Sequence, residues 1–308
     1  MDFREPLYIE TLAKYKSVTR AAEILGISQP TLSRCIIAAE ERYGVRLFER
    51  LGKQLILTHA GQEYIKKGHE ILSLGYQLQD MMRDLSNRDG GHIAIAITPS
   101  RGRYVLPNIL PEFRMRYPDC EIEIYEGDVC QVEQLLEEGT ANVGLFLRDP
   151  KREEYPKLKM EEICTEQVLL CVGRDSPYPA MGQWRKGFHY PWIDLSRLKG
   201  ETFLVNSSSM RMGPLSHELF EQYDFRPKMI RTSDLDLNIN LAAQGFGVCF
   251  CIEISADYCY SVHKPVFLSV GQTPQSFSFV AATHKDAYFS EQVNGLIHIV
   301  RQIFSKKR

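Results

Sequence analysis

At 308 residues the chain is longer than one compact domain, and 44% apolar with 25% charged residues is ordinary for a globular protein with a sizeable core. A net charge of −2 excludes a surface coated in phosphate-binding groups, so any nucleic-acid contact has to be a local patch. Eight cysteines without a CxxC pair predict neither a disulfide framework nor a metal site, and no cofactor is expected. No apolar run approaches bilayer length and the start MDFREPLYIE lacks a signal-peptide pattern, which together predict a cytoplasmic protein away from membranes.

The segment 3–15 reads as a helix with Leu7, Ile9, Leu12 and Ala13 on its buried stripe. A second helix spans 19–25, with Thr19 as N-cap, Ala21, Ala22 and Leu25 on one face and Gly26 as its stop. Ser28 then caps a third helix, with Pro30 in the first turn, where a missing N–H costs nothing. Leu32, Ile36, Ala39 and Tyr43 recur at steps of three and four on its inner side, leaving Gln29, Thr31, Ser33 and Arg34 outside. Gln and Arg bond adenine and guanine edges bidentately, while Ser, Thr and a helix N-terminus suit phosphates. A helix presenting such a first turn docks in the major groove of duplex DNA. An ordinary helical hairpin with a solvated polar face fits the same pattern equally well.

The stretch 46–57 reads as a two-stranded wing turning at 51–53, with Arg50 and Lys53 set to meet the DNA backbone and Arg20 adding to the basic patch. Thr58 caps a helix running to about 85, on which Tyr64, Gly68, Ile71, Gly75, Leu78, Met82 and Leu85 form a heptad seam. Such a seam predicts pairing with a second copy. A short polar hinge, 86–91, follows.

Beyond the hinge, strands (92–98, 121–125, 142–147) alternate with helices (105–117, with a proline inside, and 129–138), the pattern of a mostly parallel sheet. Later strands fall at 167–173, 202–205, 247–251 and 277–283, and helices at 214–223, 234–243 and 288–304. In open α/β sheets a ligand lies beyond the C-terminal strand ends. The first strand ends at Thr98-Pro99-Ser100-Arg101, before a helix, and a later one at Asn206-Ser207-Ser208-Ser209. Hydroxyls beside a helix N-terminus make an anion site, although the same residues are common caps without any ligand.

The combination Ala21-Ala22, Ser28-Gln29-Pro30, Ser33-Arg34, Glu40, Gly44, Leu47-Phe48, Arg50, Thr58 and Ala60-Gly61 resembles the N-terminal domain of LysR-type transcriptional regulators. Ala39 stands where that family usually has Leu. The second half resembles the family's effector domain more loosely, through Leu106-Pro107, Leu110-Pro111-Glu112-Phe113, Tyr117-Pro118, Glu126-Gly127 and Ala243-Gln244-Gly245-Phe246-Gly247-Val248. Asn142 replaces an acidic residue, Ile252-Glu253 lacks the usual proline, and 178–190 looks like an insertion.

The resemblance implies an α/β protein with an N-terminal all-α winged helix-turn-helix (1–58), a linker and dimerisation helix (59–89) and an effector domain (90–308). That domain would comprise two α/β subdomains, like a type 2 periplasmic binding protein, at about 90–162 with 268–308 and about 163–267. The implied partners are promoter or operator DNA, a small-molecule effector, further copies in a homodimer or homotetramer, and RNA polymerase. Effector contacts carried over are Thr98, Ser100, Asn206 and Ser207, with Asp128 and Phe246 lining the same cleft. Arg101 and Arg148 are set to pair with a carboxylate, so a small organic anion is the expected effector.

Three rival functions fit the sequence less well. An enzyme is disfavoured: there is no GxSxG elbow, phosphate-cradling glycine loop or HExxH, and His59, His69, His217 and His298 lie in unrelated elements. A redox-sensing regulator of the same family would use one of Cys164, Cys171, Cys249, Cys251 and Cys259, whose apolar neighbours favour inert core roles. A solute-binding module without gene control is opposed by the attached reading unit.

Overall fold

The computed structural model describes residues 4–51, 54–85, 91–148, 155–208, 210–224, 226–259 and 261–305. Helix α1 (Arg4–Tyr15) lays Ile9 and Leu12 against α2 (Val18–Leu25) and α3 (Gln29–Tyr43). Ser17, not Thr19, is the N-cap of α2: its hydroxyl accepts from Arg20 N at 3.4 Å, and Thr19 already lies in the first turn. Gly26 ends the helix at φ 64°, and Ser28 caps α3 by accepting from Thr31 N at 3.3 Å. Ala39 is fully buried in the close packing of the three helices. Tyr43, expected inside, is half exposed and meets Tyr64 edge-on at 5.6 Å.

The wing pairs β1 (Phe48–Leu51) antiparallel with β2 (Gln54–Leu57). Its base is fixed by Glu40, whose buried carboxylate accepts from Leu47 N (2.8 Å) and Phe48 N (3.2 Å) and pairs with Arg46. The linker helix α4 (His59–Leu85) opens on Thr58, which accepts from Gly61 N and donates to Arg46 O. The expected heptad seam divides. Tyr64 donates to Glu5 at 2.9 Å and Gly68 packs on Pro6, so both face α1. Ile71, Leu74, Leu78 and Met82 stay exposed as an apolar stripe.

In the second half β3 (Gly91–Ile97) runs parallel to β4 (Cys120–Glu126) and β5 (Val143–Leu147). Asn142 joins this ladder through its side chain, Oδ1 accepting from Ala94 N at 2.6 Å, which a carboxylate would do equally well. Strand β6 (Leu158–Val172) is the spine. Its first part pairs with β11 (Ser276–His284), and from Val168 onward it pairs with β9 (Cys249–Ile252) and β10 (Val266–Ser269). Beside these, β7 (Thr202–Asn206) pairs in parallel with β8 (Lys228–Thr232) and touches β9 through Phe203 and Val248. Helices α5 (Pro99–Arg116), α6 (Val129–Glu137) and α10 (Glu291–Phe304) cover the first lobe; α7 (Met212–Gln222), α8 (Leu235–Ala243) and α9 (Glu253–Asp257) belong to the second.

Some of these elements depart from expectation. Helix α5 starts at Pro99 rather than 105 and carries two internal prolines, Pro107 and Pro111. Strand β6 starts at Leu158 rather than 167, because its polar first part is half-covered by β11. Strand β8, mostly exposed, and the short α9 and β10 lacked a sequence signal. The segment 178–190 is anchored by Glu253, part of the Ile252-Glu253 pair where the usual proline is absent. Its carboxylate accepts from Gln167 N (2.7 Å) and meets His189 Nδ1 at 2.5 Å, while Gln167 Nε2 donates to Gly187 O.

Candidate functional site: a reading helix and an interlobe cavity

The first turn of α3 presents Ser28, Gln29, Pro30, Thr31 and Arg34 to solvent, with Ser33 half-buried beside them. Ser28 is occupied as the cap and also shares a 2.8 Å hydrogen bond with the Thr31 hydroxyl. Arg34 Nε reaches back to Pro30 O at 3.4 Å, a weak local bond that leaves the guanidinium tip outward. Of the other basic groups, Arg20 pairs with Glu23, Arg42 with Glu5 and Arg46 with Glu40, which removes most of their charge from the patch. Arg50 is exposed on β1; Lys53 lies outside the described residues.

A cavity of about 180 Å3 lies between the two lobes. Thr98, Ser100 and Asp128 line it, as expected from sequence, together with Arg103, Arg211 and Asp234, which were not expected. Its apolar wall includes Val129, Leu147, Met210, Leu235 and Ile252. Thr98 is the N-cap residue of α5 but makes no capping hydrogen bond. Amides at an uncapped helix start have no intrahelical partner and carry partial positive charge. Asp128 is different: it accepts from Gln131 N at 3.0 Å while Gln131 Oε1 accepts from Asp128 N, a complete capping box.

Arg103 spans the cleft. Its Nη1 and Nη2 bond both Asp234 oxygens at 3.0 and 3.1 Å, and it also pairs with Asp236, to which Tyr104 donates its hydroxyl hydrogen. The Arg103 hydrogen bond, ahead of the α8 amides that Asp234 caps, holds the Asp234 carboxyl below its usual range. Burial, then Asp236, pushes the Tyr104 hydroxyl well above its ordinary value.

Arg101 does not belong to this wall. It is 2% exposed and bonds Glu166, itself 1% exposed, through two contacts of 3.1 and 2.9 Å, with its guanidinium 4.1 Å from the Phe279 ring centre. A guanidinium so committed is a structural tie between α5, β6 and β11 rather than an effector ligand. Arg148, Asn206, Ser207 and Phe246 also lie off the cavity wall. Arg148 Nε and Asn206 Nδ2 are nevertheless buried with no hydrogen-bond partner among the described residues. Phe246 is 59% exposed in the turn after α8.

Cys171, Cys249 and Cys251 are fully buried, the first two directly opposite each other on β6 and β9. The contact with Cys249 and then burial raise the Cys171 thiol, and burial raises Cys251; at Cys249 the Cys171 contact lowers the thiol, but burial, Cys251 and Cys259 together leave it raised. All three are poor thiolates. Cys164 and Cys259 are half-buried. Among the described residues no cluster of three or more His, Cys, Asp or Glu side chains could hold a metal ion, and no helix is long and apolar enough to cross a membrane.

Residues 4–62 match the family model for bacterial regulatory helix-turn-helix proteins of the lysR family, and residues 86–305 match the LysR substrate binding domain. A hydrogen peroxide-inducible genes activator of Haemophilus influenzae is 27% identical over 263 residues, 83% of this chain and 81% of its own. The Hca operon transcriptional activator HcaR of Escherichia coli is 28% identical over 251 residues, 80% of each chain. Among solved structures, a variant of full-length OxyR from Pseudomonas aeruginosa has a TM-score of 0.73 at 18% identity, covering 98% of this chain and 95% of that one. The regulator CbnR in complex with its target DNA has a TM-score of 0.67 at 22% identity, covering 98% and 99%.

Proposed function

We propose a working mechanism from the family to which this chain belongs, the LysR family: it is a LysR-type transcriptional regulator with an N-terminal helix-turn-helix and an effector-binding domain. Helix α3 reads the major groove of promoter DNA with Gln29 and Arg34, while Ser28, Thr31, Arg50 and Lys53 position it on phosphates. Two copies pair through the apolar stripe of α4, so that two weak readers engage two half-sites with a gain in effective concentration. RNA polymerase is the further partner such a regulator would meet, and the cytoplasm the compartment.

The effector is a small organic anion with an apolar body, taken up between the lobes. The observation that carries this reading is the cavity itself, where the uncapped start of α5 and the hydroxyls of Thr98 and Ser100 face an apolar wall. The buried, unpartnered Asn206 Nδ2 supports a polar contact close to that wall once the lobes close. The burial and raised thiols of Cys171, Cys249 and Cys251 speak against the redox alternative.

A thermal-shift screen of the full-length protein against a metabolite library tests the effector. Carboxylates should raise the melting temperature and Ser100→Ala should blunt the rise; binding confined to neutral or cationic molecules refutes the anion reading. On the DNA side, Arg34→Ala should relax sequence preference. Lys53→Ala should weaken binding evenly and lower the salt slope by about 1. Equal losses on every sequence from both variants would contradict these roles.

A further inference from the structure

Three modules meet at one imidazole. His69, on the linker helix, lies with Nε2 3.2 Å from Glu10 Oε1 on α1 and Nδ1 3.2 Å from Glu138 Oε2 at the C-cap of α6. Glu138 is itself steadied by Gln134 Nε2, which donates to its other oxygen at 2.7 Å. The site is enclosed: the His69 and Glu138 side chains are 17% and 15% exposed. A histidine between two carboxylates forms an ion pair with both at once only as a cation with two N–H donors. Glu10, which Nε2 meets at ion-pair distance without an aligned hydrogen bond, and then Glu138, which Nδ1 does bond, raise the His69 pKa to about 9.

What makes this contact more than a surface tie is the other end of α6. That nine-residue helix is about 14 Å long, and its N-cap, Asp128, together with Val129, lines the interlobe cavity. Val132 and Leu136 are fully buried, and a Cβ added at Gly144 would come within 2.6 Å of Leu136, so α6 is pressed tightly onto the sheet. It is therefore a stiff element, with one end facing the cavity and the other fastened to the linker helix at His69.

We propose that His69 is the pin through which the effector lobe sets the orientation of the DNA-reading head, with α6 carrying a change at the cavity to Glu138 and from there to Glu10. Gln77 gives the linker helix a second hold on the same lobe, accepting from Tyr288 N at 2.9 Å, but that contact touches neither α1 nor α6. His69 joins all three, so a disturbance beginning at Asp128 reaches α1 through it. The inference builds on the assignment of α1 to the reading head and of the cavity to the effector.

The test needs neither effector nor operator, so its failure leaves the proposed function standing. Amide hydrogen exchange is followed in the full-length protein for the wild type, Asp128→Ala, His69→Gln and the double variant. Asp128→Ala uncaps α6 at the cavity and should speed exchange in α6, and in α1 around Glu10 at least threefold. In the His69→Gln background α1 should already exchange about tenfold faster, and adding Asp128→Ala should leave α1 unchanged while still loosening α6. His69→Arg, which keeps a cation between the carboxylates, should restore most of the α1 protection. Glu10→Gln cuts the α1 side alone, and should free α1 without loosening the end of α6, keeping the test decisive if His69→Gln folds poorly. Equal effects of Asp128→Ala on α1 with and without His69, or no effect on α1, would overturn the proposal.

Discussion

Replacing Arg101 with alanine leaves Glu166, 1% exposed, facing a cavity where two guanidinium hydrogen bonds had been. Removing one partner of a buried ion pair costs about 3–5 kcal/mol, because the surviving charge stays desolvated. Loss of the stacking on Phe279 at 4.1 Å adds about 1 kcal/mol. For an effector domain of this size each kcal/mol moves the midpoint by about 2–4 °C, so Arg101→Ala should melt roughly 8–24 °C below wild type. The assay is calorimetry with circular dichroism on the full-length protein, followed by urea unfolding. An Arg101→Met/Glu166→Leu double variant should regain most of the loss, since replacing both charges leaves none buried alone. If Arg101→Ala melts within about 2 °C of wild type yet loses its thermal response to carboxylates, the guanidinium serves the ligand and the structural assignment is wrong.

Other perturbations give equally direct readouts. The His69 pKa is raised in the folded protein, from 6.5 to about 9, so its contribution is fully present below pH 6.5 and is lost as pH rises through 9. With Glu10 and Glu138 facing it and Lys66 near Glu138, that contribution is at most about 3 kcal/mol. The melting difference between wild type and His69→Gln should therefore shrink between pH 6.5 and 9.5, and a constant difference would contradict it. Gly61→Ala would place a Cβ 2.1 Å from Leu47 O, so the reading domain should lose its cooperative melt and its DNA binding together; a normal melt would refute the clash. Glu40→Ala strands the amides of Leu47 and Phe48, at a cost of about 2–4 kcal/mol, which should appear as a lower reading-domain midpoint and weaker DNA retention.

How much was legible in the chain followed from how local the signal is. The reading unit is specified by caps and glycine stops a few residues apart, and the sequence missed there the two-residue difference between Ser17 and Thr19 and the exposure of Tyr43. At the cavity, Thr98, Ser100 and Asp128 were readable because each sits where a strand gives way to a helix. Arg101 and Arg103 were not separable. They lie two positions apart on α5, about 200° around its axis, so one turns into the core and the other into the cleft. Telling them apart needs the true start of α5, which Pro107 and Pro111 obscured, and knowledge that Glu166 and Asp234 approach from distant parts of the chain. Strand β8 escaped because an exposed two-stranded ladder demands no apolar alternation. Without it, Asp234 had no visible place in the cleft.

The long spine strand has a mechanical meaning. β6 trades β11 for β9 and β10 between Gln167 and Val168, one residue beyond Glu166. Any opening or closing of the lobes must bend the molecule near that changeover, much as a door turns about its post. The Arg101–Glu166 tie therefore stands beside the axis, where displacement is least, and it survives the swing. The Arg103 clasp instead joins α5 of one lobe to the start of α8 in the other, so parting the lobes has to break it. One bond sets where the lobes turn; the other sets how easily they part.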